Sequence, residues 1–134
     1  PLPRAVGLDY IHGLPLPLQK LILRGTPVYD TDRTLLQWIY RSYYASVSMI
    51  DREVGALLDE LERSGKAGNT IIVFSSDHGD QLLEHGLQGK NLFFEASVRV
   101  PLMIAMPGGR AAGERNELVE TVDVAPTLLE LLGA

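Results

Sequence analysis

Cysteine is absent from the 134 residues, which excludes a disulfide framework, a thiolate metal site and a cysteine nucleophile within them. No apolar run approaches the ~20 residues that a membrane-spanning helix requires. Basic excess is missing too: 12 Lys and Arg stand against 17 Asp and Glu, a net charge of -5. A nucleic-acid partner is therefore not expected, because phosphate binding calls for a clustered basic surface. The sequence opens at Pro1 without an initiator methionine, as an excised or trimmed segment would. No secretory leader is in view. Any such signal would precede Pro1, so cytoplasm and periplasm both stay open.

What is present suits a globular domain. Hydrophobic residues make up 46% of the chain, and a domain of this length is expected to bury roughly two thirds of its unfolded surface. Residues 1–30 hold five of the eight prolines. Proline removes a backbone donor and pushes the preceding residue toward extended conformations. The stretch therefore reads as a connector, mostly coil, with room for a short helix around Leu16–Leu23.

Residues 31–134 are more regular. Thr31 and Asp32 are capping residues ahead of a helical stripe of Leu35, Ile39, Tyr43, Val47, Ile50, Val54, Leu57 and Leu61. Gly65 is a stop signal, and a helix of this length could kink near Ser48–Asp51 or Gly55. "NTIIVFSS", Asn69 to Ser76, is a β-branched and aromatic run of the kind covered on both faces. "PLMIAMP", Pro101 to Pro107, is a second strand bounded by prolines. The two are expected to share one sheet, packed on the long helix through Val47, Ile50, Val54, Leu57 and Leu61. "NLFFEASVRV" between them reads as a helical turn. Gly108–Asn116 is a surface loop, Leu118–Val122 a short extended piece, and "APTLLELLG" a closing helix with Pro126 near its first turn. The order of elements points to α/β layering.

The first strand ends in "SSDHGDQLLEHGLQGK", Ser75 to Lys90. Ligands of open α/β sheets gather at the carboxyl ends of strands. Asp77 offers hard oxygens to a divalent cation there, and His78 a borderline nitrogen. Gly79 lets the backbone turn where a side chain would crowd an ion. A strand-end turn capped by Asp and His fits the same letters. Lys90 could neutralise a bound sulfate or phosphate or be a solvated loop lysine. His85 beside Glu84 could form an acid–base pair or pack at the base of the loop. Spacing alone leaves each pair open.

Four blocks carry a resemblance: "YYASVSMIDREVGALLDELERSG", "NTIIVFSSDHGDQLLEHGLQGK", "FFEASVRVPLMIAMPG" and "VDVAPTLLELLG". In this order they resemble the sulfatase family of the alkaline-phosphatase-like superfamily, from about Asp32 to Gly133. The resemblance implies an α/β fold: a fragment of the alkaline-phosphatase-like sulfatase fold, with strands of a mixed sheet packed against helices. It implies a hydrolase acting on a sulfate-ester substrate, in which Asp77 and His78 are metal ligands and Lys90 binds sulfate and the nucleophile. Calcium is the first metal implied. Many sulfatases carry asparagine where His78 stands. Histidine resembles the choline-sulfatase, iduronate-sulfatase and phosphonate-monoesterase branches, so manganese is the alternative. Relatives often have glycine where Leu83 stands, which leaves the path of the loop, and with it the role of His85, open.

The family's nucleophile is a formylglycine made from the Cys or Ser of a Cys/Ser-x-Pro-x-Arg motif. Neither that motif nor the acidic ligand pair that accompanies it is found here. The expectation is the carboxy-terminal half of a catalytic domain (1–30 connector, 31–134 core), inactive alone, with exposed strand edges and helix faces that favour self-association. A phosphonate or phosphodiester hydrolase of the same superfamily and a non-catalytic binding or scaffold module are the alternatives.

Overall fold

A computed structural model of the chain describes residues 8–24, 32–90, 92–109 and 113–133. Residues 8–24, within the proline-rich start, are mostly helical. Helix α1, Leu8–His12, and helix α2, Leu16–Arg24, pack as a pair. Pro15 and Pro17 sit just before and inside the first turn of α2, where a missing N–H leaves no intrahelical bond unmade. The Gln19 side-chain amide donates to the His12 and Leu14 carbonyls at 3.1 and 2.7 Å and ties the two helices together. Leu14, Leu18 and Ile22 recur at four-residue steps and turn one apolar face inward. Ile11 and Ile22 are buried and meet Leu87, with Leu14, Leu92 and Phe94 packed around them. The helix expected around Leu16–Leu23 is α2, and α1 is a second helix where mostly coil was expected. Residues 1–7 and 25–30 lie outside the described residues.

Helix α3 runs unbroken from Arg33 to Arg63, through both places where a kink could fall. The Asp32 carboxylate caps it by accepting from the Thr34 N–H at 3.1 Å; Thr31 lies outside the described residues. Its other end closes by pairing Lys66 N–H with Leu61 C=O and Gly65 N–H with Glu62 C=O. Gly65, at φ 70°, takes the left-handed position this closure demands.

Strand β1, Ile72–Ser75, pairs antiparallel with β2, Leu102–Ala105, in the register Ile72↔Ala105 to Ser75↔Leu102. One sheet therefore holds both expected strands, and the chain is a mixed helix-and-strand α/β structure. Helix α4, Glu95–Val98, lies in the excursion between them, where a helical turn was expected. Glu120 is extended, but Thr121–Asp123 is a tight helical turn closed by reciprocal bonds of Glu120 and Asp123, so the extended piece is shorter than expected. Helix α5, Val124–Leu132, follows with Pro126 in its first turn. Residues 110–112 of the intervening loop lie outside the described set, and 113–116 are exposed.

The expected burial is not found. Phe74, Met103 and Ile104 of the strand pair are exposed rather than covered on both faces. Val47, Ile50 and Leu57 of α3 are exposed at 45%, 52% and 70%, so the stripe does not bury itself on the sheet. Length explains part of this. At 1.5 Å per residue α3 spans roughly 46 Å, whereas a four-residue strand covers only about 13 Å. The chain's accessible surface, 10740 Å², compares with about 6,900 Å² for a compact monomer of its 14.7 kDa mass. Among the described residues of α3, Leu36 in the first turns is the buried one, packed against Leu83 with Ile39 beside them, while Val54 and Leu61 are half-buried.

Candidate metal and anion site

Antiparallel pairing of Ser75 with Leu102 makes a neck from which residues 76–101 project at the carboxyl end of β1. Asp77 and His78 are the first turn of that projection. The Asp77 carboxylate accepts from the His78 backbone N–H at 3.0 Å, and its other oxygen lies 3.3 Å from His78 Nε2. His78 Nδ1 sits 2.8 Å from the Gly79 carbonyl oxygen. A carbonyl only accepts, so Nδ1 is the donor in this contact and Nε2 is the ring nitrogen turned toward Asp77. Metal-binding imidazoles are commonly held this way, by a bond from the other ring nitrogen. The Lys90 ammonium Nζ makes contact with the same Nε2. Asp77, His78 and Lys90 are thus drawn to one point on the solvent side, with the Asp77 side chain largely exposed.

One carboxylate and one imidazole form a donor set that fits a divalent cation, but only as part of a full shell. Calcium takes about six to eight oxygens. Among the described residues no third His, Asp or Glu joins them in a metal-sized group.

The loop that delivers Lys90 is held in an unusual shape. Leu82, Leu83 and His85 all have left-handed backbones, at φ 44°, 71° and 56°, a conformation that costs side-chain-bearing residues roughly 1–2 kcal/mol each. Glycine would adopt this shape freely at position 83. Here burial of Leu83 against Leu36 opposes the strain. The Tyr40 hydroxyl donates to the Leu82 carbonyl at 2.8 Å, and Leu82 N–H reaches the Asp80 carboxylate at 2.7 Å. Burial first, then the Glu84 carboxylate and Tyr44, pushes the Tyr40 hydroxyl above the ordinary phenol range.

His85 goes elsewhere. Its ring stacks on Phe94 at 4.2 Å, and its Nδ1 shares a 3.1 Å hydrogen bond with the Tyr10 hydroxyl. Its ring contacts are therefore with α1 and the approach to α4, at the base of the loop.

Beneath the site the loop is stitched to α4. Gly79 N–H donates to Ser97 C=O at 2.8 Å, and a Cβ at Gly79 would lie 2.0 Å from the Ala96 carbonyl oxygen. Only glycine permits that approach. Gln81 and Ser97, buried to 1% and 3%, are joined by a 2.7 Å bond from Nε2 to Oγ. Sequence reading found neither of these, nor Tyr10 or Tyr40, because an isolated Gln, Ser or Tyr carries no local signal of burial. The neighbouring glycines were the nearest clue.

The family model for Sulfatase matches residues 23–134. The chain belongs to the sulfatase family. Among its sulfatase relatives, the choline-sulfatase of Rhizobium meliloti (strain 1021) is 50% identical over 93 residues, 69% of this chain and 18% of that protein. An N-acetylglucosamine-6-O-sulfatase of Bacteroides thetaiotaomicron is 40% identical over 106 residues, 75% of this chain and 19% of the relative. The extracellular sulfatase SULF-1 homolog of Drosophila melanogaster is 37% identical over 127 residues, 93% of this chain and 11% of its own length. The chain spans about a fifth or less of the curated sulfatases it matches.

Proposed function

We propose that these residues supply one side of the active site of a sulfuric ester hydrolase. The carrying observation is the convergence of Asp77 and His78 with Lys90, which arrives from the far end of the loop. In this reading Asp77 and His78 hold a divalent cation. Calcium is the first choice, with manganese as the alternative because an imidazole nitrogen suits a borderline metal better. The bound cation supplies positive charge that polarises the ester's sulfuryl oxygens. Lys90, whose ammonium lies beside the same His78 Nε2, pairs with the anionic group and stabilises charge that grows on its oxygens as the ester bond breaks. Gly79 keeps the floor of the turn clear, and the Nδ1–Gly79 bond holds the His78 ring with Nε2 outward.

The reacting nucleophile, a formylglycine by family resemblance, and further acidic ligands lie outside the 134 residues in this reading. The chain by itself therefore hydrolyses neither sulfate nor phosphate esters. The bare faces of α3, the strand pair and α5 receive further chain or, without it, a second copy.

The test offers an aryl sulfate and an aryl phosphodiester to the complete natural polypeptide carrying these residues, and to residues 1–134 alone. Preference for the sulfate by the former and no turnover by the latter are expected. Preference for the phosphodiester would replace sulfate with phosphate chemistry at the same site. Turnover by neither would favour a non-catalytic binding module.

A further inference from the structure

We infer that Gln81 and Ser97 form a buried strut that sets the separation of His78 from Lys90, and that Gln81 is a positioning residue for the lysine. The inference rests on the reading of Lys90 as the anion-binding group. Gln81 is 1% exposed, and its backbone N–H donates to the Gly89 carbonyl at 2.9 Å, one residue before Lys90. Its side-chain amide reaches Ser97 Oγ at 2.7 Å. The Ser97 carbonyl in turn accepts from Gly79 N–H at 2.8 Å, one residue after His78. One continuous set of bonds therefore links the peptide beside the histidine to the peptide beside the lysine, passing through the Gln81–Ser97 pair.

The strut carries a defect that stability alone does not explain. Gln81 Oε1 is buried without a hydrogen-bond partner among the described residues. If the amide is turned over, Oε1 faces the Ser97 hydroxyl and Nε2 becomes the unmatched atom, so one end is orphaned either way. Leaving a buried polar atom unmatched is unfavourable, and an apolar pair of similar shape avoids that loss. A Met at 81 with Ala at 97 would fill similar space with no polar group to satisfy. What that pair cannot do is fix direction: a thioether slides, whereas an amide bonded to a hydroxyl holds one geometry. Reacting groups are sensitive to such slack, and displacement of about 1 Å can lower a rate roughly a hundredfold.

The experiment uses the complete natural polypeptide and an aryl sulfate, with Lys90→Ala as reference and Gln81→Met/Ser97→Ala as the test. The double variant should keep or raise the melting temperature while kcat per folded molecule falls roughly ten- to a hundredfold, with KM changing less than about threefold. Ser97→Ala alone, which deletes a single hydroxyl, should move kcat in the same direction and serves if the double variant does not fold. If Lys90→Ala retains turnover, or the unaltered polypeptide has none, the reading of the site fails and the inference falls with it. If Lys90→Ala is impaired but kcat per folded molecule in the test variants stays within about threefold of the parent, Lys90 keeps its role and the strut is merely structural.

Discussion

The loop from Asp77 to Ser97 and the long helix α3 make opposite use of their residues. The loop has little regular structure, three left-handed non-glycine residues and a polar composition, yet it contains Gln81, Leu83, Leu87 and Ser97, four of the chain's most buried side chains. α3 is regular over its whole length, properly capped at both ends, and largely bare. A helix pairs its interior N–H and C=O groups within itself, so a bare apolar face leaves no interior backbone group unmatched. An irregular loop satisfies only part of itself. The N–H groups of Gln81, Leu83, Glu84, Gly86 and Leu87 pair within the loop, and further partners come from α1, the first turns of α3, and α4. The contact of Asp77, His78 and Lys90 is thus formed within the chain, while the regular elements present exposed apolar surfaces.

The largest effect that would sharpen this contrast lies at the exposed tip of the loop. Lys90→Ala in the complete polypeptide should lower turnover of an aryl sulfate about a hundredfold or more, equivalent to roughly 3–4 kcal/mol of lost charge stabilisation. Asp77→Ala should instead weaken metal retention, so that excess calcium or manganese partly restores its activity but not that of Lys90→Ala. Steady-state assays across a metal titration distinguish the two, and near-parental turnover by Lys90→Ala would return it to the status of a solvated lysine.

Next comes the packing beneath. Leu83→Ala should destabilise the chain by about 2–5 kcal/mol in denaturant unfolding, as expected for a buried leucine. Leu83→Gly should be the milder change by about 1 kcal/mol, because glycine relieves the left-handed strain at φ 71°. That order is the reverse of the usual one, and Ala equal to or better than Gly would show that the loop does not hold this backbone in solution.

Tyr40 tests the clamp from α3. Tyr40→Phe removes the bond to the Leu82 carbonyl and should cost about 1 kcal/mol near neutral pH. Because the folded hydroxyl titrates above its unfolded value, the unfolded chain loses its proton first as pH rises. The parent's stability contribution from this group is therefore fully present below the ordinary phenol range and is lost as pH climbs from there through the raised value. Unfolding midpoints of parent and Tyr40→Phe should converge over that window, and a constant difference would refute the assignment.

The smallest effect belongs to the bare surface. Leu57→Ala, at a position 70% exposed, should change the stability of residues 1–134 by no more than about 0.5 kcal/mol. A loss comparable to that at Leu83 would mean that α3 is covered in solution, by a second copy or otherwise, and sedimentation would reveal which.

Local signals in the sequence were sufficient for much of the regular structure. Asp32 caps α3 because its carboxylate bonds two residues ahead, and Gly65 ends it because the left-handed position is one residue away. A β-branched and aromatic run gave β1, an apolar stretch flanked by prolines gave β2, and Asp77, His78 and Lys90 were picked out by residue type and family resemblance. Each depends on neighbours in the chain or on a motif that can be read as letters. Tertiary structure decided the rest. Prolines suggested coil where Leu8–His12 is helical, and Ile11 and Ile22 gain a core with Leu87 that no local rule contains. The apolar stripe of α3 was legible, but not that Leu36, off the stripe, would be its buried residue and that Val47, Ile50 and Leu57 would face solvent. His85 was readable as a catalytic letter, yet its stacking between Tyr10 and Phe94 depends on a residue 75 positions away. Periodicity tells a helix which faces are apolar; only the presence or absence of another surface decides which of them is buried.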